Sequence, residues 1–219
     1  MCNVYAMTAL KGEVRKKFRL ELFRERTFLR IPGIFPGYDA PVVCENEDGE
    51  RELVNMIWGF VLNQKERAPR RVTNVREDKI LTSYFWRRSF EERRCLVPAT
   101  AFCEPNGDVK PATWHWFAVK GSEKRPLFAF AGIWQRHHGA LKKNGAVIDA
   151  EVFSFMTTRP NALVGTINHE RMPVLLTEEH EFDLWLRGSV DEAMTLARPF
   201  PDEGLRIVQA GFGKEDEGR

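Results

Sequence analysis

Short apolar runs bounded by Gly, Pro or Asn crowd the middle of this chain, at residues 95–97, 114–119, 127–134, 152–157 and 174–176. Runs of this length and punctuation fit β-strands better than helices. Two more, at 42–44 and 53–62, flank the acidic turn Asn46-Glu47-Asp48-Gly49. Helical spacing is confined to other stretches. Val14, Phe18 and Leu22 predict an amphipathic helix over 12–26, and residues 78–90 suit a helix capped by Asp78. A third is expected after Thr177, and a fourth from Ser189, where Ser-Val-Asp-Glu has the capping-box pattern. A short strand at 205–209 follows. The segment from Arg30 to Gly37 contains two prolines and two glycines, and reads as a loop. With no strict strand–helix alternation, the expectation is an α+β protein: a single compact domain over 1–212. Residues 213–219, rich in charge, read as a solvated tail.

A chain of 219 residues can bury about 70% of its unfolded surface, so it needs no disulfide or metal staple. No apolar run approaches the roughly 20 residues of a membrane span. The opening Met-Cys-Asn-Val-Tyr has no basic or apolar leader character, which makes a cytoplasmic protein the expectation, nucleoid-associated if bacterial. Four cysteines without paired ligand spacing predict free thiols and no metal site, and the adjacent His137-His138 reads as exposed loop. A net charge of +2 does not by itself announce a nucleic-acid partner. The basic residues are clustered, however, and Tyr84-Phe85-Trp86-Arg87-Arg88-Ser89-Phe90 has two readings. Its arginines could hold phosphates while its rings stack on bases, or it is an amphipathic helix with rings inside.

Cys2 is the most unusual candidate for chemistry. Once Met1 is removed, its thiol stands beside a free α-amine, and both groups titrate close enough to neutrality to be nucleophilic. The amine can form a Schiff base with an aldehyde, and the thiol can then add to the imine and close a thiazolidine. The alternative is an incidental cysteine at a frayed terminus. Glu104, just beyond an apolar strand, suits general acid–base work or is an ordinary exposed strand end. Asn74 could orient a substrate or occupy a turn. His169, in Asn168-His169-Glu170-Arg171, lies in a polar stretch between apolar runs and is either a site residue or a solvated loop histidine.

Taken in order, Met1-Cys2, Trp58-Gly59, Asn74-Val75-Arg76, Arg94-Cys95-Leu96-Val97-Pro98-Ala99, Phe102-Cys103-Glu104 and His169-Glu170-Arg171-Met172-Pro173 resemble the SOS response-associated peptidase (SRAP) family of abasic-site crosslinking proteins. The resemblance spans residues 2 to about 176. It implies a curved, partly barrel-like mixed β core with flanking helices, and a groove for single-stranded DNA. It also implies that Cys2 is the crosslinking nucleophile, positioned by Asn74. Glu104 would shuttle protons, and His169 would help open the sugar and reverse the linkage. Arg76 and Arg171 would meet DNA, with Trp58 and Pro41 as further contacts. No cofactor, metal or membrane is implied, and a monomer is expected.

The chain also departs from the family pattern. Asn3-Val4 stands where Gly-Arg is usual, and Pro105 replaces an aromatic. Lys65-Glu66-Arg67 takes the place of aromatics that wedge DNA, and Asp39-Ala40-Pro41 only echoes a proline loop. Two other functions fit the same residues. One is an N-terminal-nucleophile hydrolase acting on amides through Cys2. The other is a non-catalytic module that binds single strands.

Overall fold

The computed structural model describes residues 2–24, 30–64, 67–121, 125–167 and 170–218. The chain opens with β1 (Val4–Met7), α1 (Lys11–Phe18), β2 (Leu22–Phe23), β3 (Ile31–Ile34), β4 (Asp39–Glu45) and β5 (Arg51–Trp58). The short strands β6 (Phe60–Leu62), β7 (Arg70–Val72) and β8 (Asn74–Arg76) lead to α2 (Tyr84–Glu92). Then come β9 (Arg94–Ala99), β10 (Ala101–Asn106), β11 (Thr113–Val119), β12 (Phe128–Ala140) and β13 (Val147–Thr158). The final part holds α3 (Ala162–Gly165), β14 (Met172–Pro173), β15 (Leu175–Leu176), α4 (Glu179–Arg187), α5 (Val190–Met194) and β16 (Leu205–Gly211).

Two sheets carry the architecture. One runs β16-β11-β10-β1-β3, antiparallel throughout. The other is mixed and follows β14-β13-β12-β9-β4-β5-β2, with β8 added in parallel alongside β13. The inside of the first sheet is lined by Val4, Ala6, Ala101, Cys103 and Ala118 around one wholly buried Trp116. Small side chains leave room for the indole and let the sheet curl tightly. The larger core lies on its other face, where Tyr5 and Phe102 meet Trp58, Phe130 and Phe155 of the mixed sheet. The expected α+β domain with a curved mixed β core is therefore the one observed.

Several elements depart from expectation, each for a local reason. The first helix stops at Phe18, because Arg19 adopts the left-handed conformation (φ 49°) and Leu22–Phe23 pairs with Glu52–Leu53. Residues 31–34 form strand rather than loop. They pair with β1 on one side, and Pro32, lacking an N–H, sits at an edge where no donor is needed. The second helix begins after Ser83 instead of at Asp78, whose carboxylate is held by both Arg76 Nε and Nη2 at 2.8 Å and is not free to cap. His137 and His138 lie within β12. His137 is buried, and His138 faces out to Asp149 at 2.9 Å. The Ser189 capping box forms as predicted.

The C-terminal segment is not wholly solvated. Asp216 is buried and pairs with Arg125 through two hydrogen bonds of 2.8 and 2.9 Å. Its backbone N–H donates to the Pro32 carbonyl at 2.8 Å. The chain beyond β16 thereby returns to β3, so the two ends of the five-stranded sheet are joined through the tail. No helix among the described residues is long and apolar enough to cross a membrane. Asp216→Ala would remove the carboxylate that pairs with the Arg125 guanidinium, only 8% exposed. A loss of about 3–5 kcal/mol in chemical denaturation is expected, and a change below about 0.5 kcal/mol would show that the tail is merely laid on the surface.

Candidate active site around Cys2

Cys2 is buried at the head of β1, and its thiol donates to the Val4 carbonyl at 3.4 Å. Two later parts of the chain converge on it. Asn74 opens β8, which is held in place by parallel pairing of Asn74 with Phe155. Its Nδ2 donates to the Cys2 carbonyl at 2.7 Å and to Thr73 Oγ1 at 2.8 Å. Thr73 Oγ1 donates in turn to Asn3 Oδ1 at 3.1 Å. The residue that departs from the family's usual glycine is thus itself tied into the site. The Asn74 Oδ1 acceptor is buried with no hydrogen-bond partner among the described residues.

Glu104 comes from β10, whose preceding residue, Cys103, pairs with Val4. Its carboxyl is wholly buried, so the reading of an exposed strand end does not hold. Burial pushes the Cys2 thiol well above the usual cysteine range, and the Glu104 charge pushes it further in the same direction. Burial alone does not single out Cys2. It also raises Cys44, to about 12, along with Cys95 and Cys103. What distinguishes Cys2 is its place at the amino end together with a carbonyl gripped by Asn74. All four cysteines are free thiols, as the sequence predicts.

The remaining predicted residues divide into three groups. Arg76 and Arg171 lie close together: Arg76 pairs in register with Thr157, and Arg171 Nε donates to Thr157 Oγ1 at 3.2 Å. Arg76 is exposed and held bidentately by Asp78, whereas Arg171 is half-buried and ion-paired with Glu77. Trp58 and Pro41 are corrected by the structure. Trp58 is fully buried, stacks on Phe155 at 5.3 Å and donates Nε1–H to the Thr73 carbonyl at 3.1 Å. It braces the strand that presents Asn74, and its ring is closed to any DNA base. Pro41 is buried inside β4, opposite Asn55, with no face left for a strand of DNA. His169 lies outside the described residues.

Sequence reasoning missed three partners. Thr73 and Asn3 form the relay just described, and their adjacency to Asn74 and Cys2 was the only available sign. Tyr5 is the third. Its hydroxyl is buried without a partner among the described residues, with its proton affinity raised by burial and then by Cys2. Gly59 explains its own place in the Trp58-Gly59 pair. It sits at φ +110°, and a Cβ there would come within 2.3 Å of Arg71 Cγ. No cluster of His, Cys, Asp and Glu among the described residues is arranged to hold a metal. A cavity of about 720 Å³ opens elsewhere, between Thr8–Leu10, Arg30 and residues 216–218, and none of Cys2, Asn74 or Glu104 lines it.

Residues 1–211 match the family described as SOS response associated peptidase (SRAP). The chain belongs to the SRAP family. Similar proteins include abasic site processing protein YoaM of Bacillus subtilis (strain 168), 29% identical over 95% of this chain and 90% of that protein. Abasic site processing protein YoqW of Bacillus phage SPbeta is 24% identical over 95% and 92%. Crystal structures of proteins from Bordetella bronchiseptica and Bacteroides thetaiotaomicron share the fold, with TM-scores of 0.74 and 0.73 at 18% and 24% identity. They cover 96% and 95% of this chain, and 98% and 90% of their own.

The buried charge of Glu104 yields a test. Replacing it by Gln removes one of the three influences that disfavour the Cys2 thiolate, after burial and beside Cys103. The pH at which Cys2 is half-alkylated by iodoacetamide should fall in Glu104→Gln, while staying above that of an ordinary cysteine because burial persists. Mass analysis of the N-terminal peptide reads this directly, and an unmoved midpoint would mean that the carboxyl does not reach the thiol.

Proposed function

We propose that this SRAP protein processes abasic sites in DNA, capturing the lesion covalently in single-stranded DNA through Cys2. The observation that carries the reading is the convergence of Asn74 and Glu104 on a buried Cys2 at the amino end of the chain. The abasic-site-processing names of the relatives from Bacillus subtilis and phage SPbeta support the substrate class.

Hydrolysis of the Met1–Cys2 peptide bond, which consumes one water, frees the α-amine. The ring-opened abasic sugar presents an aldehyde. The amine adds to it and one water leaves, giving an imine. The sulfur then bonds to the imine carbon, the thiol proton passes to nitrogen, and a thiazolidine results. Asn74 holds the Cys2 carbonyl, fixing the amine and thiol on one side of the incoming carbon. Glu104 relays the protons that leave sulfur and reach nitrogen. On the family resemblance alone, His169 helps to open the sugar and to reverse the linkage. Arg76 and Arg171 hold phosphates, Arg76 by exchanging Asp78 for the DNA backbone. The protein acts as a monomer and without a cofactor.

A synthetic single strand carrying one abasic site tests this. The unaltered protein should give a heat-stable band on a denaturing gel, absent from Cys2→Ala. Intact mass of the protein should show Met1 removed. Asn74→Ala should slow adduct formation by about 10-fold or more, in line with the loss of a hydrogen bond of about 1.5 kcal/mol. An adduct that persists in Cys2→Ala, or that forms while Met1 remains, would overturn the mechanism.

A further inference from the structure

The basic-aromatic stretch over residues 84–90 splits between its two readings. Trp86 and Phe90 point inward as core, whereas Tyr84, at the start of α2, is 96% exposed. One turn on, Arg88 and Ser89 face β12 and form with it a cavity of about 440 Å³. Arg93, Arg136, Phe85, Gln135 and the half-buried Trp134 complete its walls, and no acidic residue among the described ones lines it. Among the described residues, Glu92 is the carboxylate that answers both Arg88 and Arg93, at 3.1 Å from each. Arg93 Nε is buried with no hydrogen-bond partner among the described residues. A concave site with a surplus of guanidinium groups and an unfilled donor is built for an anion.

Its place in the sheet points to which anion. Gly132 on β12 pairs with Phe155, and Phe155 pairs with Asn74. Trp134 is therefore two strand widths (roughly 10 Å) across and two residues (roughly 7 Å) along from the strand that grips Cys2. We propose that this cavity holds one backbone phosphate of single-stranded DNA flanking the lesion, and that the Tyr84 ring stacks on a neighbouring base. The inference rests on the reading of the protein as one that captures lesions in single strands. It adds a second contact, with arginine fork and aromatic platform supplied by α2 and β12. It also offers a compensation for Val4, which stands where an arginine is usual in the family.

The test uses a lesion-free oligonucleotide, so that binding is read apart from Cys2 chemistry. In the double variant Arg88→Gln/Arg136→Gln, both side chains being exposed, the slope of log K against log salt should shrink by about 0.7, the value for one single-strand phosphate. Tyr84→Ala should weaken binding by about fivefold or more while leaving the slope unchanged, since stacking releases no counterion. Circular dichroism and thermal melting confirm that both variants are folded. An unchanged slope in the double variant, with binding by the unaltered protein intact, overturns this inference alone. Failure of the unaltered protein to bind single strands or to trap the lesion overturns the functional reading and this one with it. Saturable binding of inorganic phosphate that is lost in the double variant, with oligonucleotide binding unaffected, would make the cavity a free-phosphate site and would also overturn the inference.

Discussion

A hydrogen bond of 2.7 Å from the Asn74 side chain to the Cys2 carbonyl ties the amino end of the chain to a strand 72 residues away. Much of the site's architecture serves that one contact. Trp58 braces Thr73 from beneath through its indole N–H, and Thr73 passes a second hydrogen bond to Asn3. The parallel pairing with Phe155 holds the short strand of Asn74 against the mixed sheet. A terminus is ordinarily the least ordered part of a domain. Here it is enclosed by a relay of side chains and by the strand that carries Glu104.

The enclosure sets the chemistry as much as the geometry. A thiol in a dry setting, next to a carboxylate, keeps its proton at neutral pH, so Cys2 is no ready-made thiolate. In the proposed reaction, attack by sulfur therefore requires a base at hand, a role proposed for the neighbour that raises the thiol's proton affinity. Carboxylates also face Cys44, which donates to Glu52 at 3.9 Å, and Cys103, which is raised by Glu104, so what sets Cys2 apart is its place at the amino end and the Asn74 grip on its carbonyl.

The strands of the middle were legible because alternation and turn residues act over a few neighbours, and so were the helix after Thr177 and the Ser189 cap. Misjudged features were those decided by distant parts of the chain. Leu22 has helical spacing from Phe18, yet it is drawn into a strand by Glu52. Asp216 looks solvated until Arg125, 91 residues earlier, reaches it, and Asp78 is the local exception, a helix cap by type until Arg76 claims it. Within the site, the order of Cys2, Asn74, Glu104 and Arg171 along the chain carried the family resemblance. What order could not convey was depth. Trp58 and Pro41 sit beneath the surface that they seemed to decorate, and the Asn3–Thr73 relay depends on a side-chain contact that no spacing rule reports.

The closing of the five-stranded sheet by Asp216 has a consequence for how the molecule comes into being. Cys2 is stowed only when β8 and β10 exist to receive it, and the edge at Pro32 is finished only when the last few residues arrive. During translation the leading residues therefore dangle outside any folded body until most of the polypeptide has left the ribosome. In that interval the Cys2 side chain is open to water, before folding draws a curtain over it.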